Sequence, residues 1–356
     1  MSRFVQIHLL THYPPSNPNR DDLGRPKTAI VGGAQRQRIS SQAMKRALRT
    51  SDAFAGALAG NRGERTQRLG EVLRDHLIAG GADEAAASAA ARTVAAAFGK
   101  IKSDGAQTEQ LAFVSPREKA RALELAEKAL AGDELPAGKD LAKQVLQRAD
   151  GAVDIAMFGR MLADNPDYNR DAAVQVSHAL TTNAVTIEDD YYTAVDDLKT
   201  AAEDAGAGFV GEAGFGSGVY YIHVCVNTEL LKDNLDGDVA LARRGLAALV
   251  EALGEAVPSG KINSFSNHVR PEFMLVEHGD GQPLNLFSAF ESPVAGPGLM
   301  AASVDRLRER RAAFARSYGA WWDEDLFLRV GDDGAATLEA LAAFAAGAVE
   351  DGGTRP

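Results

Sequence analysis

Hydrophobic and polar positions change their spacing several times along the chain, and each change marks an element. Over residues 3–11, Val5, Ile7 and Leu9 fall on one side and Phe4, Gln6, His8 and Leu10 on the other, which predicts a first strand. Residues 14–27 are polar and dense in Pro, Asn, Asp and Gly, the composition of a long loop. The period then becomes helical over 40–50: Met44, Ala47 and Leu48 share an apolar face, Gln42, Lys45 and Arg49 lie along another, and Ser40 or Ser41 supplies the N-cap.

From about residue 52 to 150 alanine dominates and strand signals vanish. The spacing predicts helices around 69–77, 83–99 and 139–149. Another starts at the capping box Ser115-Pro116-Arg117-Glu118 and runs to Gly132. Residues 185–218 read as a projecting hairpin whose many glycines bury little, so it needs an outside partner to order it. Residues 219–227 are apolar at nearly every position, the mark of a central buried strand. Helices around 237–256, 284–291, 303–318 and 337–349 follow, with strands at Phe273–Val276 and near Leu326–Leu328. The order outside the helical insertion is strand, helix, hairpin-bearing region, strand, helix, strand. It predicts an α+β protein with a four-stranded antiparallel sheet backed by helices, the ferredoxin-like or RRM-like plan, carrying a helical insertion and a projecting β-hairpin.

Composition narrows the class. At 356 residues, 45 % hydrophobic and 24 % charged, the chain is an ordinary globular protein of one large domain or a core with insertions. The lone Cys225 excludes an internal disulfide, and no Cys/His cluster has zinc spacing, which fits a reducing, intracellular setting. The first residues lack the apolar core of a signal peptide, and no apolar run reaches membrane-spanning length.

A net charge of −11 speaks against a broadly basic nucleic-acid binder. Its distribution matters more. Residues 35–49 hold five cationic side chains and no carboxylate, and a local basic groove can hold phosphates while an acidic exterior keeps the protein soluble. A serine-capped helix start with unpaired N–H donors, flanked by Arg38, Lys45, Arg46 and Arg49, is a phosphate-gripping arrangement. The same run also serves as an ordinary solvated helix face.

Other candidates are weaker. Met161 follows Gly159-Arg160, and a polarizable Met can wedge between bases while Arg neutralises a phosphate; core packing is the alternative. Lys261, in the polar loop 260–268, is a further candidate phosphate contact. His8 and His12 with Asp21 and Asp22 have the ligand types of a hydrolytic metal site, set against two polar residues near a strand end and two loop carboxylates. Asp196-Asp197 reads as a capping or subunit-contact pair. No P-loop, GxSxG or Cys/His arrangement occurs.

Several blocks share an order and spacing with one family: Phe4, Asn19-Arg20-Asp21-Asp22, Ala29-Ile30-Val31-Gly32-Gly33, Arg38-Ile39-Ser40-Ser41-Gln42, Lys45-Arg46, Val153-Asp154-Ile155-Ala156, Gly159-Arg160-Met161, His178-Ala179, Thr181-Thr182 and Thr193-Ala194-Val195-Asp196-Asp197-Leu198. Together they resemble the CasC family, the backbone (Cas7-type) subunits of the type I-E CRISPR Cascade complex.

The resemblance implies a palm from residues 1–52 and 219–356, helical fingers over 53–178 and a thumb hairpin over 185–218. It implies a non-catalytic cytoplasmic subunit without cofactor or metal. Copies stack head to tail along a guide crRNA beside other Cascade subunits, and target DNA pairs with the guide before a recruited helicase-nuclease cuts it. Arg20 and Lys27 then join the basic helix, including Ser40 and Gln42, in gripping the guide. Arg160 and Met161 act at a kinked nucleotide. Tyr191, Tyr192, Thr193 and Val210 take the thumb-tip positions, where aromatics suit stacking on bases. Lys139 and Lys143 face target DNA. Related backbone subunits of other CRISPR systems cut RNA with a loop aspartate, so a metal-dependent ribonuclease is the alternative.

Overall fold

The computed structural model describes residues 4–148, 150–194 and 209–349. From the N-terminus, β1 (Phe4–Ser16) leads through the polar loop to the hairpin β2 (Thr28–Val31) and β3 (Ala34–Ile39), then to α1 (Ser41–Thr50) and α2 (Asp52–Ala57). The alanine-rich part holds β4 (Glu64–Thr66), α3 (Leu69–Ala79), α4 (Glu84–Ala95), β5 (Ala112–Val114), α5 (Pro116–Leu130) and α6 (Lys139–Val145). Next come α7 (Val153–Phe158), β6 (Val174–Val176), β7 (Ala179–Thr181), β8 (Glu188–Ala194) and β9 (Phe209–Asn227). The rest is α8 (Thr228–Asn234), α9 (Val239–Glu255), α10 (Ile262–Phe265), β10 (Phe273–Gly279), α11 (Leu299–Tyr318), β11 (Glu324–Arg329) and α12 (Leu338–Gly347).

The fold is mixed α/β around one large sheet. Its strands run in the order β11-β10-β1-β9-β7-β3-β2, with β6 and β8 also paired to β9, giving nine strands among the described residues. Every named pairing is antiparallel. β9 is central because its residues from Val219 to Val226 are buried on both faces. On one face Val5, Ile7, Leu9, Ile222 and Val224 pack against Met44 and Leu48 of α1 and the apolar stripe Leu241–Leu253 of α9. On the other, Leu10, Val219, Tyr221 and Phe273 meet Val304 and Leu307 of α11 and the 3-10 turn Leu286–Phe290. A second core, from Leu69 to Leu162, belongs to the alanine-rich helices.

Three expectations change. The sheet has more than twice the expected four strands, because the hairpin β2–β3, the short strands β6 and β7, and β8 all join it; β1 also continues through Pro14 and Pro15. The span 53–178 is not all separate from the sheet: Phe54, Leu58, Val153 and Met157 join the sheet's own core, and β6 pairs with β9. Residues 286–290 form a 3-10 helix, not the α-helix expected over 284–291.

Candidate nucleic-acid interface

The basic helix starts as its sequence requires, with Ser40 as N-cap and its Oγ accepting from the Ala43 N–H at 3.3 Å. The cap is itself held. Asn19 Oδ1 accepts from the Ser40 N–H at 2.8 Å, and His178 Nδ1 accepts from the Ser41 N–H at 3.0 Å. Burial, with the charges of Arg38 and Lys27, pushes the His178 pKa down, which favours the neutral ring that can accept. Three donors of the first turn, the N–H groups of Ser40, Ser41 and Ala43, are therefore already spoken for. A phosphate here meets side chains rather than a bare helix terminus, which corrects the sequence expectation.

The preceding loop is built, not slack. Asp21 Oδ1 accepts from the N–H groups of Leu23 and Arg25 at 3.0 and 2.9 Å, and Lys27 N–H donates to Asn19 O at 2.9 Å. Asn17 Nδ2 donates to Gly24 O and across to Gly214 O, tying the loop to the root of the β8–β9 hairpin. Arg25 pairs with Asp189 at 3.0 Å. The loop and α1 form two walls of a cleft of about 800 Å³, with residues 255–262 and His268 as the third. Arg20 and Arg46 both line it and both are exposed. Gly260 lets the third wall approach, since a Cβ there would lie 2.3 Å from Pro18 O. Lys261, beside it, adopts a left-handed backbone (φ 51°). Asp21, Asp22, Asp52 and Glu255 also border the cleft, so its cations stand among carboxylates.

Several predicted residues go elsewhere. Arg49 turns away from the stripe it was expected to share with Gln42 and Lys45. Its guanidinium pairs with buried Asp154 at 2.9 Å and lies over the Phe113 ring at 4.3 Å, fastening α1 to α7 and β5. Arg160 is fully buried: it pairs with Glu118 at 2.7 Å and donates to the carbonyls of Tyr168 and Gln147, so it is not available to a phosphate. Lys143 stays exposed but pairs with Asp140 at 2.8 Å. Arg36, one of the five cations in the run, is also fully buried. It donates to Thr181 O, Thr182 O, Phe290 O and Glu291 O.

The hydrolytic constellation does not assemble. His8 is buried, bonded to Tyr221 Oη at 2.8 Å and to Glu277, while Asp21 closes its own turn. Among the described residues no group of three or more His, Cys, Asp or Glu side chains is placed to hold a metal ion.

Others stand where binding residues would. Gln42, Arg46 and Lys139 are exposed; Lys27, Arg38 and Lys45 are half-buried. Partial burial lowers the Lys45 pKa, so part of that ammonium's hydration is already lost before any anion arrives. Met161 is 75 % exposed, although its neighbours Arg160 and Leu162 are buried. All seven residues of β8 are exposed, Tyr191 and Tyr192 among them. Thr193 pairs with Val210 across the hairpin. Asp196-Asp197 and the Val210 side chain lie outside what the structure describes. Sequence reasoning saw Asn19 and His178 only as parts of family blocks, and of the third wall it picked out only Lys261, because 256–259 carry no charge.

An antiparallel α+β sheet with a cation-bearing cleft beside an exposed aromatic hairpin is the class the geometry defines. The family model described as CT1975-like protein, among the Cas families, matches residues 5–348, so the chain belongs to that family. It is similar over 97 % of its length to a whole chain (100 %) of a solved CRISPR RNA-guided surveillance complex, pre-nicking, with 29 % identity and a TM-score of 0.85. A chain of another CRISPR RNA-guided surveillance complex is 27 % identical, with a TM-score of 0.69 and coverage of 95 % of this chain and 94 % of that one. The resemblance to Cas7-type backbone subunits is borne out. A search of curated proteins finds no match.

Proposed function

We propose that this chain is a backbone subunit of a type I-E CRISPR surveillance complex, with several copies stacked head to tail along one guide crRNA. The observation that carries this reading is the full-length likeness, at a TM-score of 0.85, to a chain of an RNA-guided surveillance complex. The strand order β10-β1-β9-β6, with α1 and α9 on one face, supports a ferredoxin-like, RRM-like palm.

Arg20, Arg46, Lys27, Arg38, Gln42, Lys45 and Lys261 grip guide phosphates, and Ser40 fixes the helix that presents them. Met161 wedges at a distorted nucleotide, and the exposed β8 hairpin, as thumb, lies over the guide of a neighbouring copy with its tyrosines against bases. Target DNA binds by base pairing, which supplies a specificity the protein lacks, and Lys139 stands ready for its backbone. The chain itself performs no catalysis; a recruited helicase-nuclease cuts. Other Cascade subunits cap the open row that head-to-tail contacts generate, and the particle works in the cytoplasm.

The test is co-expression with a repeat-spacer transcript and partner subunits, read by native mass and the 260/280 nm absorbance ratio. A large particle with several copies and one protected RNA is expected. An RNA-free monomer overturns the reading.

A further inference from the structure

Helix α11 carries five arginines and two carboxylates in an otherwise acidic protein. Three of the arginines are committed within the fold. Arg311 pairs with buried Glu277 at 2.9 Å. Arg308 lies over Phe327 at 4.6 Å. Arg306 donates through one nitrogen to Ser292 O at 2.8 Å. Arg310 and Arg316 are exposed and carry no ion pair among the described residues.

Arg306, Arg310 and Arg316 line one groove of about 560 Å³ between α11 and residues 288–292, with Glu309 and Glu291 at its borders. Ser288 lines it too, and its buried Oγ has no hydrogen-bond partner. Guanidinium forks match phosphate oxygens in pairs.

The groove sits over the face of the sheet formed by Leu10, Val219 and Tyr221. The basic helix covers the opposite face, that of Leu9 and Ile222. One strand held at the α1 cleft does not also lie in the α11 groove without crossing the sheet.

We propose that the α11 groove is a second phosphodiester-binding site, with Arg310 and Arg316 as its contacts, that takes a nucleic-acid strand other than the one held at the α1 cleft. The committed arginines hold the helix in place, and the two free ones meet the ligand.

The test uses the assembled, guide-loaded particle with Arg310→Glu/Arg316→Glu, and with Arg310→Lys/Arg316→Lys as the conservative pair. Fluorescence anisotropy with a labelled non-complementary 30-nucleotide DNA strand, an RNA strand and a duplex of the same sequence is measured from 50 to 200 mM salt. The glutamate pair is expected to weaken single-strand binding and to flatten the log–log salt slope by about 1.4, the loss of two phosphate contacts on a single strand. The lysine pair should keep most of the slope, the 260/280 nm ratio should stay that of the wild type, and comparison of the three probes identifies the strand type. Unchanged affinity and slope overturn the proposal. Loss of guide from the particle overturns it too, because the groove then serves the first strand. So does a smaller particle with unchanged nucleic-acid binding, which makes the face a contact between copies. If the wild type never loads guide, the function proposed above fails instead. The same anisotropy on the isolated chain, Arg310→Glu/Arg316→Glu against Arg46→Glu, then decides the groove by itself.

Discussion

Arg160 and Glu118 meet out of contact with solvent, with Nη1 2.9 and 2.7 Å from the two carboxylate oxygens. Glu118 is at once the glutamate of the α5 capping box, the third residue of that helix, and accepts from the Ser115 N–H at 3.1 Å. The pair therefore nails the start of α5 to the Gly159–Met161 turn. Removing one partner leaves a buried, uncompensated charge, so Arg160→Ala should cost about 3–5 kcal/mol, read from the urea midpoint. Met161→Ala, at an exposed position, should leave that midpoint within about 0.5 kcal/mol and change only guide protection. If both variants affect protection and neither affects stability, the arginine is a direct contact after all.

Arg46 and Arg49 stand one turn apart on α1 and should behave oppositely. Arg46→Glu, in the cleft, is expected to strip guide RNA from the purified particle while the melting curve of the free chain stays put. Arg49→Ala removes two charge-assisted bonds to Asp154 and should cost about 2 kcal/mol. An Arg49→Ala chain as stable as wild type would show that Gly63 N–H, at 2.7 Å from Asp154, suffices alone.

His223 stacks on His8 at 4.9 Å and its Nε2 lies 3.1 Å from Gln6 Oε1. Burial, with His8 beside it, pushes its pKa down to about 2. The native state thus refuses a proton that the unfolded chain accepts below about 6.5. Its contribution is intact above that pH and is lost as pH falls, by about 2 kcal/mol at pH 5. Asp150 works the other way: burial and Glu118 raise its pKa to about 6, which favours the native state on the acid side. The informative quantity is therefore a difference. Between pH 7.5 and 5, His223→Gln should lose about 2 kcal/mol less than wild type, in urea titrations at both pH values. Equal losses would mean that His223 is not held neutral.

Gly260 sits where a side chain would strike Pro18 O at 2.3 Å. Gly260→Ala should push the 255–262 wall away from the arginine-bearing loop, cost about 1–3 kcal/mol of stability, and weaken guide retention, measured as RNA lost on a salt wash. Full retention would mean that the third wall takes no part.

Local signals were readable because their causes are local. The Ser40 cap, the Ser115 capping box and the apolar run of β9 each follow from a few adjacent residues. The fate of the arginines was not readable. Arg49 finds its carboxylate 105 positions away and Arg160 finds its own 42 away. Arg36 is satisfied only by carbonyls at 181–182 and 290–291, which no charge count reveals. Of the five cations in the basic run, Arg36 and Arg49 are tied into the fold, and Arg46 is left facing the cleft. The hairpin β2–β3 was hidden for the same reason, because its arginines and glutamines masked the strand alternation.

β9 runs nineteen residues without a break from the exposed hairpin to the middle of the sheet. Among the described residues its inner half is flanked by β1 on one side and by β6 and β7 on the other, while its outer end pairs with β8. A strand held so unevenly is a cantilever: a load on its outer half is borne by the buried inner half. In the row of copies proposed above, each arm can then yield to whatever passes beneath it while its base holds its place in the sheet.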